Sequence, residues 1–290
     1  MNIPLFLIQS KRPTIVNSIV MLALMLTVQV SCRKEEEPDR EADTAVEFAA
    51  ADNSFNDVSA IADEAYGGNM NGFRLSSGNG TLSNCATISI DTAVSPRMLV
   101  VDFGTSDCLC KDGNYRKGKI IVTWNGAYRD SGSVHTITFD GYYVNFNKVT
   151  GTKTVTNMGL NPVGNPVFSV TVNGSIEWSP DYFAGGGTGT YTSTRTREWI
   201  AGRSTLNVLD DVYLISGSAS GTTRTGTSYA MSTSVPLKKE IGFRHFTDGV
   251  LNFQPGSKPV RSIDYGYVNG QRDNLARVTV AGQTFTVTLR

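Results

Sequence analysis

The chain has 290 residues, 26 basic and 26 acidic side chains, and no formal net charge. That balance gives no sign of a nucleic-acid binder working through a basic patch, and the length allows one large domain or two small ones. With 29 glycines, many Thr and Ser, and few long helix-forming runs, the composition favours strands and turns.

Lys11 and Arg12 precede an apolar run from Ile15 to Val30. A membrane-crossing helix needs roughly 20 residues, so this run is short for one. Basic residues before a short apolar core are the pattern of a secretory signal peptide, expected here over residues 1–31. Ser31-Cys32 closes it and resembles the end of a lipobox, the motif of bacterial lipoproteins. Gln29 stands where that family usually has an apolar residue. The resemblance implies that Cys32 carries palmitate-type acyl chains and becomes the mature N-terminus. An uncleaved anchor and ordinary secretion are the competing readings.

Cys32-Arg-Lys-Glu-Glu-Glu37 resembles the export signal of Bacteroidetes-type surface lipoproteins. It implies a lipid-anchored place in the outer membrane, facing the extracellular side. The plainer reading is a solvated charge run that opens a tether. Two or more acyl chains make anchoring stable where a single one is marginal. Loss of Lys11 and Arg12 with the signal leaves a weakly acidic mature chain.

Residues 32–43 are acidic, contain Pro38 and read as a flexible tether. A helical segment is expected over 44–66, where Phe48, Ala51, Phe55, Val58, Ile61, Ala62 and Ala65 recur at helical spacing. Asp52-Asn53-Ser54 can recap it midway, giving two short helices. Gly67-Gly68-Asn69 supplies the stop.

From residue 73 to 290 the pattern is short β runs with turn signals between them. Asn-Gly favours a tight hairpin because both residues tolerate positive φ. Hairpins are therefore expected at Asn125-Gly126, at Asn173-Gly174 and, by the same grammar, at Ala281-Gly282. The fold class is all-β: an antiparallel, two-sheet, sandwich-like domain preceded by a short helical segment. The stretches "DGYYVNFNKVTGT" and "DDVYLISGSASGT" share a shape, so two related halves are one organisation and common strand grammar is the other. Phe103-Gly104, Asp112-Gly113 and Arg116-Lys-Gly-Lys119 also resemble segments of uncharacterised secreted β-rich proteins, a resemblance that implies no activity.

Of four cysteines, Cys32 is assigned to lipid, leaving Cys85, Cys108 and Cys110. An oxidising compartment favours a disulfide, with Cys85–Cys108 ahead of Cys85–Cys110. No metal site is expected, since Cys108-Leu-Cys110 has no second ligand pair at metal-binding spacing. The two histidines, His135 and His245, sit in no metalloprotease or nucleophile motif. Asp102, Asp140, Glu177, Asp181, Asp210, Asp211 and Asp264 supply carboxylates, and a polysaccharide hydrolase would need two of them across a cleft. No catalytic residue, cofactor or nucleic-acid partner is assigned.

Threonine alternation is the clearest surface signal. Thr150, Thr152, Thr154 and Thr156 share one parity, as do Thr188, Thr190, Thr192, Thr194 and Thr196. Thr223, Thr225 and Thr227 form a third set. Residues two apart on a strand face the same side, so each run lines one face with hydroxyls. The expected binding surface is Thr152, Thr154, Thr190, Thr192, Thr194 and Thr225, with Tyr191, Arg195 and Arg197 beside them. It suits a glycan or a surface protein, bound without catalysis. The alternatives are a polysaccharide hydrolase and a purely structural envelope component. The plain reading of the threonines themselves is that they are good solvent-face strand residues.

Overall fold

Apolar side chains at helical spacing produce α1 (Asp43–Asn69). Asp43 lies in its first turn, where a carboxylate meets the positive end of the helix dipole. The helix is continuous through Asp52-Asn53-Ser54. There the Ser54 hydroxyl donates 2.9 Å back to the Ala50 carbonyl, so it does not start a new helix. Phe48, Ala51, Phe55, Val58, Ile61, Ala62 and Ala65 are buried, whereas Val46, Ala49, Asn53 and Asn56 are exposed. The helix thus has one solvent stripe opposite its buried apolar face, with half-buried residues between them.

The computed structural model describes residues 43–69, 86–205, 208–241, 243, 245–268 and 270–289. The leader, Cys32, Cys85 and most of the tether lie outside these residues. After α1 come β1 (Thr87–Asp91), β2 (Arg97–Asp102), β3 (Cys108–Leu109), β4 (Tyr115–Trp124) and β5 (Val134–Val144). Then follow β6 (Asn147–Leu160), β7 (Pro166–Trp178), β8 (Gly187–Ala201), β9 (Val212–Thr222) and β10 (Ser228–Glu240). The chain ends with β11 (Phe246–Pro255), β12 (Arg261–Asp264), β13 (Leu275–Val280) and β14 (Gln283–Thr288).

The chain is mostly β, as expected, but the expected two-sheet sandwich is replaced by one sheet. Among the described residues its 14 strands are hydrogen-bonded in chain order, with β3 set aside against β4. Every pairing is antiparallel, so the sheet is a meander. Register shifts interrupt the β4–β5, β5–β6 and β10–β11 ladders. Such bulges bend strands and increase twist. The sheet curls, and β2, β4, β8 and β11 all reach α1. A sandwich covers each inner face with a second sheet; here the helix supplies that cover.

Alternate residues of the sheet fill the concave side. Phe48 packs on Tyr229 and Phe253, with ring centroids 5.5 and 5.3 Å away. Phe55 stacks on Tyr191 at 5.3 Å and meets Phe139 edge-on at 6.2 Å. Trp124, Trp178 and Trp199 are buried core anchors.

The Asn-Gly expectations meet different fates. Ala281-Gly282 does join β13 to β14, as Val280 pairs with Gln283. Asn125-Gly126 instead opens a longer β4–β5 loop, in which the Asn125 side-chain oxygen accepts a 2.8 Å bond from the Val134 amide. Asn173-Gly174 is not a turn at all: β7 runs straight through it, with Gly174 paired to Gly151 and Tyr191. The glycine is there for space. A Cβ at 174 would stand 2.5 Å from the Phe55 ring and 2.5 Å from the Thr150 carbonyl oxygen.

Gly174→Ala is expected to destabilise the fold by about 1–3 kcal/mol, the usual cost of overpacking a core. Chemical denaturation measures it, and an unchanged midpoint would show that Phe55 does not rest on this strand.

Candidate functional site

The inner face is a keyed seat for the helix. Near the N-terminus of α1, Glu47 accepts a 3.1 Å bond from the Trp178 indole N–H. It also pairs with the Arg224 guanidinium at 2.9 Å and accepts from the Arg224 backbone amide. One turn on, Asp52 pairs with Arg195 at 2.6 Å and accepts the Tyr191 hydroxyl. Further along, Asp57 meets Arg116 at 2.6 Å, and Arg116 also holds Asp112 at 2.7 Å. Between them the Lys153 ammonium donates 2.8 Å to the Phe55 carbonyl.

These groups perturb one another. Burial pushes the Asp57 carboxyl up, against the pull of Arg116. Burial works against the charge on Arg116, but Asp112 and Asp57 outweigh it and raise its pKa. Burial and the Asp52 charge both push the Tyr191 hydroxyl up, so it is a hydrogen-bond donor at neutral pH.

Tyr191, Arg195 and Arg197 therefore do not belong to the expected outer surface. All lie on the parity that faces inward on β8, where Tyr191 and Arg195 are buried. Arg197 lies beyond the helix footprint, over the Phe168 and Tyr213 rings at 5.3 and 5.0 Å. Their charge and aromaticity suggested a ligand surface, but their partners come from within the chain. Asp52 is 143 residues from Arg195.

Thr152, Thr154, Thr190, Thr192 and Thr194 do come together, on the outer face of one sheet. Thr192 stands opposite Asn173 and Ser220, and Asn173 stands opposite Thr152. In the next row Thr154 pairs with Thr136 and Thr171, and Thr171 pairs with Thr194. That row continues through Ser218 and Ser232 to Asn252. It then reaches Ser262, Thr279 and Thr284. Neighbouring rows repeat at about 6.7 Å along the strands and about 4.8 Å across them. Some hydroxyls bond each other, as in Thr190 with Thr222 at 2.9 Å and Thr150 with Ser175 at 2.8 Å. Thr225 departs from this grid: it sits in the β9–β10 turn, 3.0 Å from the Thr223 hydroxyl.

The cysteines and acids take structural places. Cys110 is a buried free thiol. Cys108 is disulfide-bonded, and its partner lies outside the described residues. Among the carboxylates, Asp102 accepts from the Gly104 amide, Asp264 from Gly266 and Asp210 from the Thr205 hydroxyl. A narrow cleft lies beside Glu47, Trp178, Thr190 and Tyr229.

The exposed apolar groups at one end of the sheet carried no sequence signal. Tyr115 and Phe146 stack at 5.9 Å while 40% and 49% exposed. Tyr182, 46% exposed, stacks on Trp178 at 5.5 Å. An Asn-Phe turn has no glycine to flag it, so only the structure brings these rings together.

Arg195→Ala is expected to cost about 3 kcal/mol, because it leaves the largely covered Asp52 carboxylate without its cation. Thr192→Ala, on the opposite face of the same strand, is expected to stay within about 0.5 kcal/mol. Urea denaturation of both variants checks the assignment of inside and outside; equal losses would refute it. No family model, no curated protein and no solved structure matches this chain.

Proposed function

We propose that the chain is a lipid-anchored protein of the outer-membrane surface that binds an extended glycan on the outer face of its sheet, without catalysis. The observation that carries the binding is the register of the hydroxyl rows. Thr136, Thr154, Thr171, Thr194, Ser218 and Ser232 stand on six successive strands in one line. Hydroxyls both donate and accept, and the threonine methyls add a weakly apolar surface between them. A long polysaccharide offers the complementary repeat of hydroxyls and C–H faces.

Anchorage rests on the sequence: the short apolar run, Cys32 at its end, and the charged tether after it. No helix among the described residues is long and apolar enough to cross a membrane. The helix seat supports the same division of labour. Its acids and cations pair with one another, which leaves the outer face as the surface offered to a partner.

Two measurements test the reading. Cys32→Ala is expected to move the protein from the membrane fraction to the soluble one; unchanged fractionation sinks the anchor. On a glycan array, the Thr192→Val and Thr194→Val double variant is expected to lose at least tenfold in affinity with its melting temperature kept. Retained binding would remove the outer face from the function.

A further inference from the structure

The β5–β6 hairpin turns through two residues, Asn145 and Phe146, with Val144 paired to Asn147. Both have positive φ, 48° and 67°. This turn favours Asn then Gly, and the β13–β14 hairpin follows that preference at its second position, with Ala281 at 48° and Gly282 at 79°. Phe146 does not. A bulky side chain in the left-handed region is a backbone outlier, and such strain persists where function holds it. Core packing does not account for the phenylalanine, because 49% of it is exposed. Its ring lies instead on Tyr115, itself 40% exposed, at an interplanar angle of 26°.

The pair is held rigidly. The Asn145 side-chain oxygen accepts from the Tyr115 amide at 3.0 Å, and the Asn145 amide donates to the Tyr115 carbonyl at 2.8 Å. The Asn145 carboxamide donates 2.8 Å to Asn114, which donates 2.6 Å to Asp112. Asp112 in turn pairs with Arg116 at 2.7 Å. Beyond these bonds each carboxamide keeps a second N–H and a second lone pair. The adjoining β7–β8 loop brings Tyr182 on its Trp178 stack, tied in by the Ser179 amide on the Asn147 side chain at 2.9 Å.

We propose that Tyr115 and Phe146, flanked by Asn114 and Asn145, form a second carbohydrate subsite at the β5–β6 end of the sheet, which takes a pyranose ring of an uncharged polysaccharide. A pyranose has an apolar face of C–H groups that lies flat on an aromatic ring, whose face carries the negative part of its quadrupole. Its equatorial hydroxyls reach outward to planar carboxamides of the kind Asn114 and Asn145 present. This subsite rests on the glycan-binding reading and adds to it a ring-stacking position that the hydroxyl rows lack.

The test is calorimetric titration of the full chain, solubilised in detergent, with hexasaccharides of glucose, xylose and mannose. Phe146→Gly restores the Asn-Gly turn. It is expected to raise the melting temperature by about 2–4 °C, as release of backbone strain does in a domain of this size, while weakening sugar binding at least tenfold. A lower melting temperature would make Phe146 an ordinary packing residue and overturn the proposal. If the Thr192→Val and Thr194→Val variant loses binding and Phe146→Gly does not, the subsite fails and the outer-face reading stands. The reverse pattern supports the subsite and removes the outer face. A wild-type protein that binds none of the hexasaccharides refutes both.

Discussion

A helix that carries acids into a curled sheet is the constraint on which the rest of this molecule depends. Glu47, Asp52 and Asp57 each meet an arginine, from the β9–β10 turn, from β8 and from β4. A buried ion pair is a weak source of net stability, since desolvation offsets most of the attraction. Its geometry is strict, however, because a helix shifted by one residue would leave all of these charges unpaired. The apolar contacts of Phe48 and Phe55 supply affinity, and the carboxylates fix where along the trough the helix sits. Once seated, it gives one sheet the apolar cover that a second sheet would otherwise provide.

That arrangement sorts the sheet's two faces by chemistry. Inward positions on β8 read Tyr, Ser and Arg, and outward positions read Thr. Viewed as an isolated strand, neither side looks apolar enough to be a core, and its register looks weakly specified. The helix resolves the ambiguity, since only one side has acids opposite its cations. Hydroxyl rows on the other side follow as a consequence of strict antiparallel pairing, strand after strand.

The sequence made the period-2 runs, the threonine parity and the Ala281-Gly282 turn legible, because each depends on neighbours in the chain. Which side of β8 faces in was not legible, because it depends on Asp52, far away in sequence. A usable signal did exist. Glu47, Asp52 and Asp57 each adjoin a buried apolar residue of the helix, Phe48, Ala51 and Val58. Acids that border an apolar stripe, in a chain rich in strand-borne arginine, point to internal pairing. Asn173-Gly174 misleads for a related reason: its glycine answers to the Phe55 ring and not to a turn. The Asn145-Phe146 turn is the converse, a tight reversal whose second residue no turn rule would choose.

The meander has an implication for how the chain reaches its folded form. Each strand on the main path bonds to the strand before it, so most loops to be closed are short and carry little entropic cost. Contacts of this kind form quickly compared with pairings between distant segments. The helix is the exception: it leaves the ribosome before any strand, yet Phe48 finds Phe253 only when the eleventh strand has been made. Until then its acids serve a different purpose. Together with the other polar side chains of the segment they keep it soluble while it waits to be wrapped, so the same side chains that position the finished helix also guard the unfinished one.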